Sequence, residues 1–150
     1  MVTERVTYGT EDIVRTDDIN QTFWIKKTLV SSAILTTGVD VTGVSSVGEL
    51  VVENIIVKTD ATGLATGTNL EIASDNTNGL ANIFVTVISG LGANKTVDLN
   101  AASVTKIQTV LEVGKKLTAV STGLDSTGAG TVDIYIQFRR LADKATIAAA

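Results

Sequence analysis

The groups able to do chemistry in this 150-residue chain are carboxylates, lysines, tyrosines and hydroxyls, because the sequence holds no histidine and no cysteine. That removes imidazole bases, thiolate nucleophiles and the usual zinc ligands together. Hydrolysis would then fall to a pair of carboxylates, as in glycoside hydrolases. Glu53, Glu71, Glu112 and Asp133 are the candidates. Each lies where polar and apolar residues alternate, so a wet sheet face accounts for them without catalysis. Sugar sites also present aromatic platforms, and only Tyr8, Trp24 and Tyr135 are available for one. No catalytic residue is expected, and the chain reads as non-enzymatic.

Two loops carry weaker signals. Gly90-Leu91-Gly92-Ala93-Asn94-Lys95-Thr96 has the composition of a phosphate loop, in which glycine N–H groups cradle phosphate and a Lys-Thr pair meets the terminal phosphate and magnesium. The spacing fails, since Asn94 stands where the second glycine is needed and Ser89 where the first would fall. Thr96-Val97-Asp98-Leu99 then reads as a strand rather than the required helix, so a hairpin loop is expected. Asp75-Asn76-Thr77-Asn78-Gly79, with Asp60, offers oxygen ligands for calcium. One or two carboxylates fall short of the six to eight oxygens calcium takes. Asn and Asp also bond their own backbone in turns, and the turn is the expectation. No cofactor or metal site is assigned.

The elements that must position these groups are strands. Thr131 to Arg140 alternates apolar Val132, Ile134, Ile136 and Phe138 with Asp133, Tyr135, Gln137 and Arg139, the pattern of a half-buried strand. Similar segments run over Lys26 to Leu35, Leu50 to Thr59, Asn69 to Ser74, Ile83 to Ser89, Thr96 to Leu99, Lys106 to Val113 and Lys116 to Ser121. Gly38 and Gly43 mark a turn-rich connection, Gly114-Lys115 a tight hairpin, and 123–130 a longer link. About eight strands without helical patterns between them predict an all-β fold, an antiparallel two-sheet β-sandwich of jelly-roll-like type. The strand 50–59 is apolar on both sides, with Val51, Ile55 and Val57 on one face and Leu50, Val52 and Ile56 on the other. Such a strand is central, or meets another subunit.

Three segments are expected: an extended N-terminal arm over 1–25, a sandwich domain over 26–141, and a flexible tail over 142–150, where Ala-rich residues form a helical turn or fray. The arm ends in Phe23-Trp24-Ile25, an apolar anchor either for a neighbour or for the chain's own core. Phe23, Trp24, Leu50, Val52 and Ile56 are the candidate interface residues of a homo-oligomer. A formal charge of −4 argues against a general nucleic-acid partner. The basic pairs Lys26-Lys27, Lys115-Lys116 and Arg139-Arg140 read as solvated strand ends. No apolar run approaches the length of a membrane helix and no signal peptide is visible, so no membrane partner and synthesis in the cytoplasm are expected.

K-K-T-L-V-S-S-A-I-L-T-T-G at 26–38, V-E-N-I-I-V-K-T-D-A-T-G-L-A-T-G-T-N-L-E-I-A-S-D at 52–75 and T-V-D-I-Y-I-Q-F-R-R at 131–140 form a Thr- and Gly-rich, proline-free pattern of short strands. In this style the stretch from Lys27 to Ala142 resembles the decoration, or cement, proteins of tailed-bacteriophage capsids. The resemblance implies a virion structural protein, often a homotrimer, on the outer capsid surface. There it would bridge neighbouring copies of the major capsid protein, its partner. The other reading is a sandwich module that binds carbohydrate or another surface ligand, such as a tail or head-fibre component.

Overall fold

The computed structural model describes residues 5–8, 11–14, 20–34, 38–64, 69–77, 88–89, 91–98, 109–122 and 129–150. Among them are eleven strands: β1 (Arg5–Tyr8), β2 (Glu11–Val14), β3 (Thr22–Val30), β4 (Val39–Asp40), β5 (Leu50–Thr59), β6 (Asn69–Ser74), β7 (Ile88–Ser89), β8 (Thr96–Asp98), β9 (Thr109–Leu111), β10 (Leu117–Thr122) and β11 (Thr131–Arg140). One short 3-10 turn, Ser31–Ala33, is the helical element among the described residues.

Two antiparallel sheets form the sandwich. One has the order β3-β11-β5-β8, with β9 sharing the β8 edge of β5; the other has the order β4-β10-β6-β7. The winding alternates between sheets, so links read as hairpins are often crossings. β7 pairs with β6 and β8 with β5, which makes 91–95 an inter-sheet link rather than a hairpin loop. Gly114-Lys115 is similar. Lys115 N–H donates to Glu112 O at 3.2 Å in a tight turn, but β9 belongs to one sheet and β10 to the other. Turn chemistry marks a reversal, whereas the partner sheet depends on where distant strands lie.

Long β11 holds the five-stranded sheet together, pairing with β3 from Thr131↔Val30 to Arg139↔Thr22 and with β5 on its other side. Its alternate residues Val132, Ile134, Ile136 and Phe138 are fully buried. They meet Leu70, Ile72, Leu117 and Ala119 of the facing sheet in one core cluster. The apparent two-sided apolarity of β5 comes from a register shift between Gln137 and Phe138, which pair with Asn54 and Val52 and leave Glu53 as an extra residue. This β-bulge reverses the inward parity. Leu50 and Val52 point inward before it, and Ile55 and Val57 after it, all fully buried. Val51 and Ile56 take the outer face.

The N-terminal boundary moves. β3 begins at Thr22 rather than Lys26, and the Phe23 ring stacks on Phe138 with centroids 5.7 Å apart. Phe23 is therefore a half-buried anchor of its own sandwich. Upstream, β1 and β2 pair with each other antiparallel, Val6 opposite Ile13, instead of running on as one extended arm; the rest of 1–19 lies outside the described residues. The β-branched residues Val6, Thr7, Ile13 and Val14 favour strand.

The flexible tail is corrected too. Ala145 is fully buried and Ile147 is 6% exposed, while Thr146 and Ala149 bridge to Ser46 and Thr42. Alternation over Lys144-Ala145-Thr146-Ile147-Ala148 makes a short strand-like segment, and its backbone groups find partners along 41–46. Leu141–Lys144 forms a turn rather than a helix. Gly48 is required here, since a Cβ on it would lie 2.4 Å from Ala142 Cβ.

Candidate interaction surface

The carboxylates named as possible acid–base pairs are dispersed. Glu53, at the bulge, is ion-paired with Arg139. Asp133 accepts from Thr28 Oγ1 at 2.6 Å and from Lys26 Nζ at 2.9 Å. Both lie on the five-stranded sheet, but Asp133 pairs with Lys58, about five positions along β5 from Glu53. At the strand rise that is about 15 Å, well beyond the separation either class of glycosidase uses. Glu71 belongs to β6 in the other sheet, and Glu112 Oε2 accepts from Thr77 N and Oγ1 at 3.0 and 2.8 Å. Burial pushes the Asp133 carboxyl up, but hydrogen bonds from Thr28 and Lys26 outweigh it and hold the group below its usual value. The Lys26 ammonium is raised in turn by its hydrogen bond to Asp133.

The two loops weighed for ligand binding are tied up internally. Asp60 Oδ1 accepts from Thr62 N and Gly63 N at 2.9 and 2.8 Å, and Oδ2 accepts from Thr131 N and Oγ1, both at 3.0 Å. The Gly63 N–H first, then those of Thr62 and Thr131, hold its carboxyl below the usual range despite partial desolvation. Gly130 passes so close that a Cβ on it would sit 1.7 Å from Gly63 O. Thr59 Oγ1 donates to Gly92 O at 2.6 Å and accepts from Lys95 N at 2.9 Å, which fixes the glycine loop to the end of β5.

Asp75 Oδ1 accepts from Lys116 N at 2.7 Å, and buried Asn76 bridges Val110 O and Glu112 N. These side chains clamp neighbouring strands instead of facing an ion. Asn78 and Gly79 lie outside the described residues. Among the described residues no group of three or more His, Cys, Asp or Glu could hold a metal ion.

The basic pairs have structural partners as well. Lys27 Nζ donates to Ala150 O, Lys116 pairs with Asp40 at 2.8 Å, and Arg140 donates to Ala145 O at 2.8 Å while its guanidinium lies 5.0 Å from the Phe23 ring centroid. The hydrogen bond to Asp40 raises the Lys116 ammonium.

The interface candidates separate. Leu50 and Val52 are core residues of this chain, turned inward by the bulge, and cannot meet a neighbour. Ile56 is half-buried on the outer sheet face, opposite Tyr135. Trp24 is on that face too, 48% exposed and opposite Gln137, so it is the diagonal neighbour of Tyr135. The two aromatics do not form an open platform, because Lys26 Nζ stands 5.5 Å from the Tyr135 ring centroid. Tyr8 is in β1, apart from this sheet.

Three exposed valines on neighbouring loops escaped sequence reasoning. Val44, Val47 and Val113 are 59%, 69% and 51% exposed. Their two loops are laced by Ser45 N–H to Lys115 O at 2.8 Å, Ser45 Oγ to Glu112 O at 2.6 Å and Gly114 N–H to Ser45 O at 2.9 Å. Val47 has φ of 70°, a left-handed conformation that costs a β-branched residue about 1–2 kcal/mol. The signal was legible in Gly43-Val44-Ser45-Ser46-Val47-Gly48, where two valines interrupt a run of turn residues. Searches of protein-family models, curated proteins and solved structures find no match to this chain.

Proposed function

We propose that this chain is a non-enzymatic virion structural protein that binds the outer surface of a tailed-phage capsid as an oligomer and stabilises the capsid lattice. The observation that carries this reading is the strand order. The first and last strands of the sandwich, β3 and β11, lie side by side, and the two sheets read 3-11-5-8 and 4-10-6-7. With β8 and β9 sharing one position, that order fits the winding of a jelly roll, an architecture used by viral capsid and lectin domains. The side-chain chemistry described is spent on holding loops and strands together, which suits a protein whose work is adhesion. The separate N-terminal hairpin supplies a segment able to reach an adjacent subunit.

The test is cosedimentation of the purified chain with phage heads whose major capsid protein is encoded beside it. Saturable binding that raises the temperature of head disruption is expected. No binding at micromolar protein would overturn the reading. A second reading, a glycan- or surface-ligand-binding module of a tail or head fibre, is favoured by exposed Trp24 among polar residues on a sheet face. Quenching or shift of Trp24 fluorescence by a polysaccharide, abolished by Trp24→Ala, would support it over the first.

A further inference from the structure

Residues 145–150 are held in strand form although their composition does not favour it. Alanine is depleted in strands, and Ala145, Ala148, Ala149 and Ala150 make up most of the segment. What holds it is the edge of 41–46. Gly43 N–H donates to Ala148 O at 2.9 Å, Ser46 N–H to Thr146 O at 2.9 Å, Thr146 N–H to Ser46 O at 3.1 Å and Ala150 N–H to Val41 O at 3.1 Å. The apolar anchors are few, since Ala145 and Ile147 join the core while Thr146, Ala148, Ala149 and Ala150 are exposed. β11, by comparison, buries Val132, Ile134, Ile136 and Phe138 and is paired on both sides. Lys144 lies between the two at a left-handed φ of 61°, so 145–150 hangs from β11 through a bend and does not continue its strand.

The edge itself does not depend on this strap. On its other side Val41 N–H donates to Leu117 O at 2.9 Å, Ser45 N–H to Lys115 O at 2.8 Å, and Thr42 Oγ1 accepts from Leu117 N at 2.9 Å. Those bonds tie 41–46 to β10 and its preceding turn whether or not 145–150 is in place. A strap with few apolar anchors, lying on an edge that is separately held, opens at lower free energy than the sandwich unfolds. Opening leaves the backbone groups of Val41, Gly43 and Ser46 and two apolar seats facing outward, which is what strand addition requires.

We infer that 41–46 is a strand-accepting edge that this chain keeps filled with its own residues 145–150, and that the strap opens as a unit while the sandwich stays folded. The segment that fits is extended, with a small residue two positions before a β-branched one. Ala145 is fully buried beside Gly48, where an added Cβ would stand 3.3 Å from Ala145 Cβ, so the first seat takes no larger side chain. The second seat is that of Ile147, 6% exposed. Because the strap is tethered, its high effective concentration keeps the edge closed against a free segment of equal intrinsic affinity.

Hydrogen exchange on the full-length protein reads the opening. The Gly43, Ser46 and Thr146 amides, bonded across the edge, are expected to lose protection at least about tenfold faster than Ile134 and Ile136 of β11, while Val41 and Ser45, bonded on the β10 side, keep the slow rate. Fluorescence anisotropy of a labelled peptide with the sequence of residues 144–150 reads the site. Full-length Ile147→Asp, whose strap is released, is expected to bind this peptide saturably at up to about millimolar concentration, and wild type at least about tenfold more weakly. The peptide carrying Ile147→Asp is expected not to bind either protein.

Exchange of Gly43, Ser46 and Thr146 at the β11 rate, or of Val41 and Ser45 together with them, would overturn the inference. So would a full-length Ile147→Asp protein that unfolds, binds no peptide, or binds it no better than wild type does. Neither measurement involves a capsid, so capsid binding stands or falls separately in the cosedimentation assay.

Discussion

Asp60 illustrates a side chain whose chemistry has been consumed by architecture. Its two oxygens take four donors from Thr62, Gly63 and Thr131 and so lock its own loop, 60–63, to the start of β11 at one end of the sandwich. Asp60→Asn keeps one acceptor oxygen but turns an amide donor towards the Thr131 N–H and hydroxyl. A lower melting temperature at neutral pH is expected. The folded-state value is depressed, so this stabilisation is complete above the unfolded carboxylate value near 4 and is lost as pH falls through the lower folded value. Wild type and variant should therefore converge in thermal scans as pH falls through that lower folded value, whereas a constant gap would deny the carboxylate this role. Ser31 is the opposite case, with a buried Oγ that has no hydrogen-bond partner among the described residues. Ser31→Ala removes a desolvated hydroxyl and nothing it was bonded to. Denaturant unfolding should show stability unchanged or raised by up to about 1 kcal/mol.

At the scale of elements, alternation was the reliable signal. Segments 50–59, 69–74 and 131–140 coincide with β5, β6 and β11, because a strand with one buried face must repeat every two residues. The failures share a physical cause, since each depended on a partner far along the chain. The Glu53 bulge made β5 look two-faced, and nothing local to 50–59 marks it; only the register with β11 does. β4 is two residues long, too short to show a period, so its sequence reads as part of a turn. The Ala-rich composition of the last nine residues suggests a tail, although Ala145 and Ile147 alternate with Thr146 and Ala148 as a strand does. Of the interface candidates, Trp24 and Ile56 lie on an outer face and Phe23 stacks on Phe138, while Leu50 and Val52 are interior. Ile147→Ala discriminates between docked segment and tail. Burial at 6% exposure predicts a loss of about 2–4 kcal/mol in denaturant unfolding, against less than about 0.5 kcal/mol for a fraying residue.

At the scale of the whole molecule the charge is unevenly divided. Glu4, Glu11, Asp12, Asp17 and Asp18 against Arg5 and Arg15 place three of the chain's four net negative charges before Asn20. The rest of the chain is almost neutral, so most of the net charge that would oppose self-precipitation belongs to the acidic segment. Removing it tests both roles. The cut belongs just before Asn20, because Asn20 and Gln21 exchange backbone hydrogen bonds with Arg140 and Thr22 opens β3. A chain beginning at Phe23 would lose those bonds and confuse core damage with loss of the hairpin. Starting at Asn20, the melting temperature of the monomeric sandwich should stay within about 2 °C of the full chain's, since no strand of either sheet is touched. The discrete oligomer should disappear in light scattering, and in its place slow, concentration-dependent precipitation near neutral pH should emerge as net charge approaches zero. An oligomer unchanged by the cut would locate self-association on the sheets, with exposed Trp24 and the β3 edge as the next surface to alter.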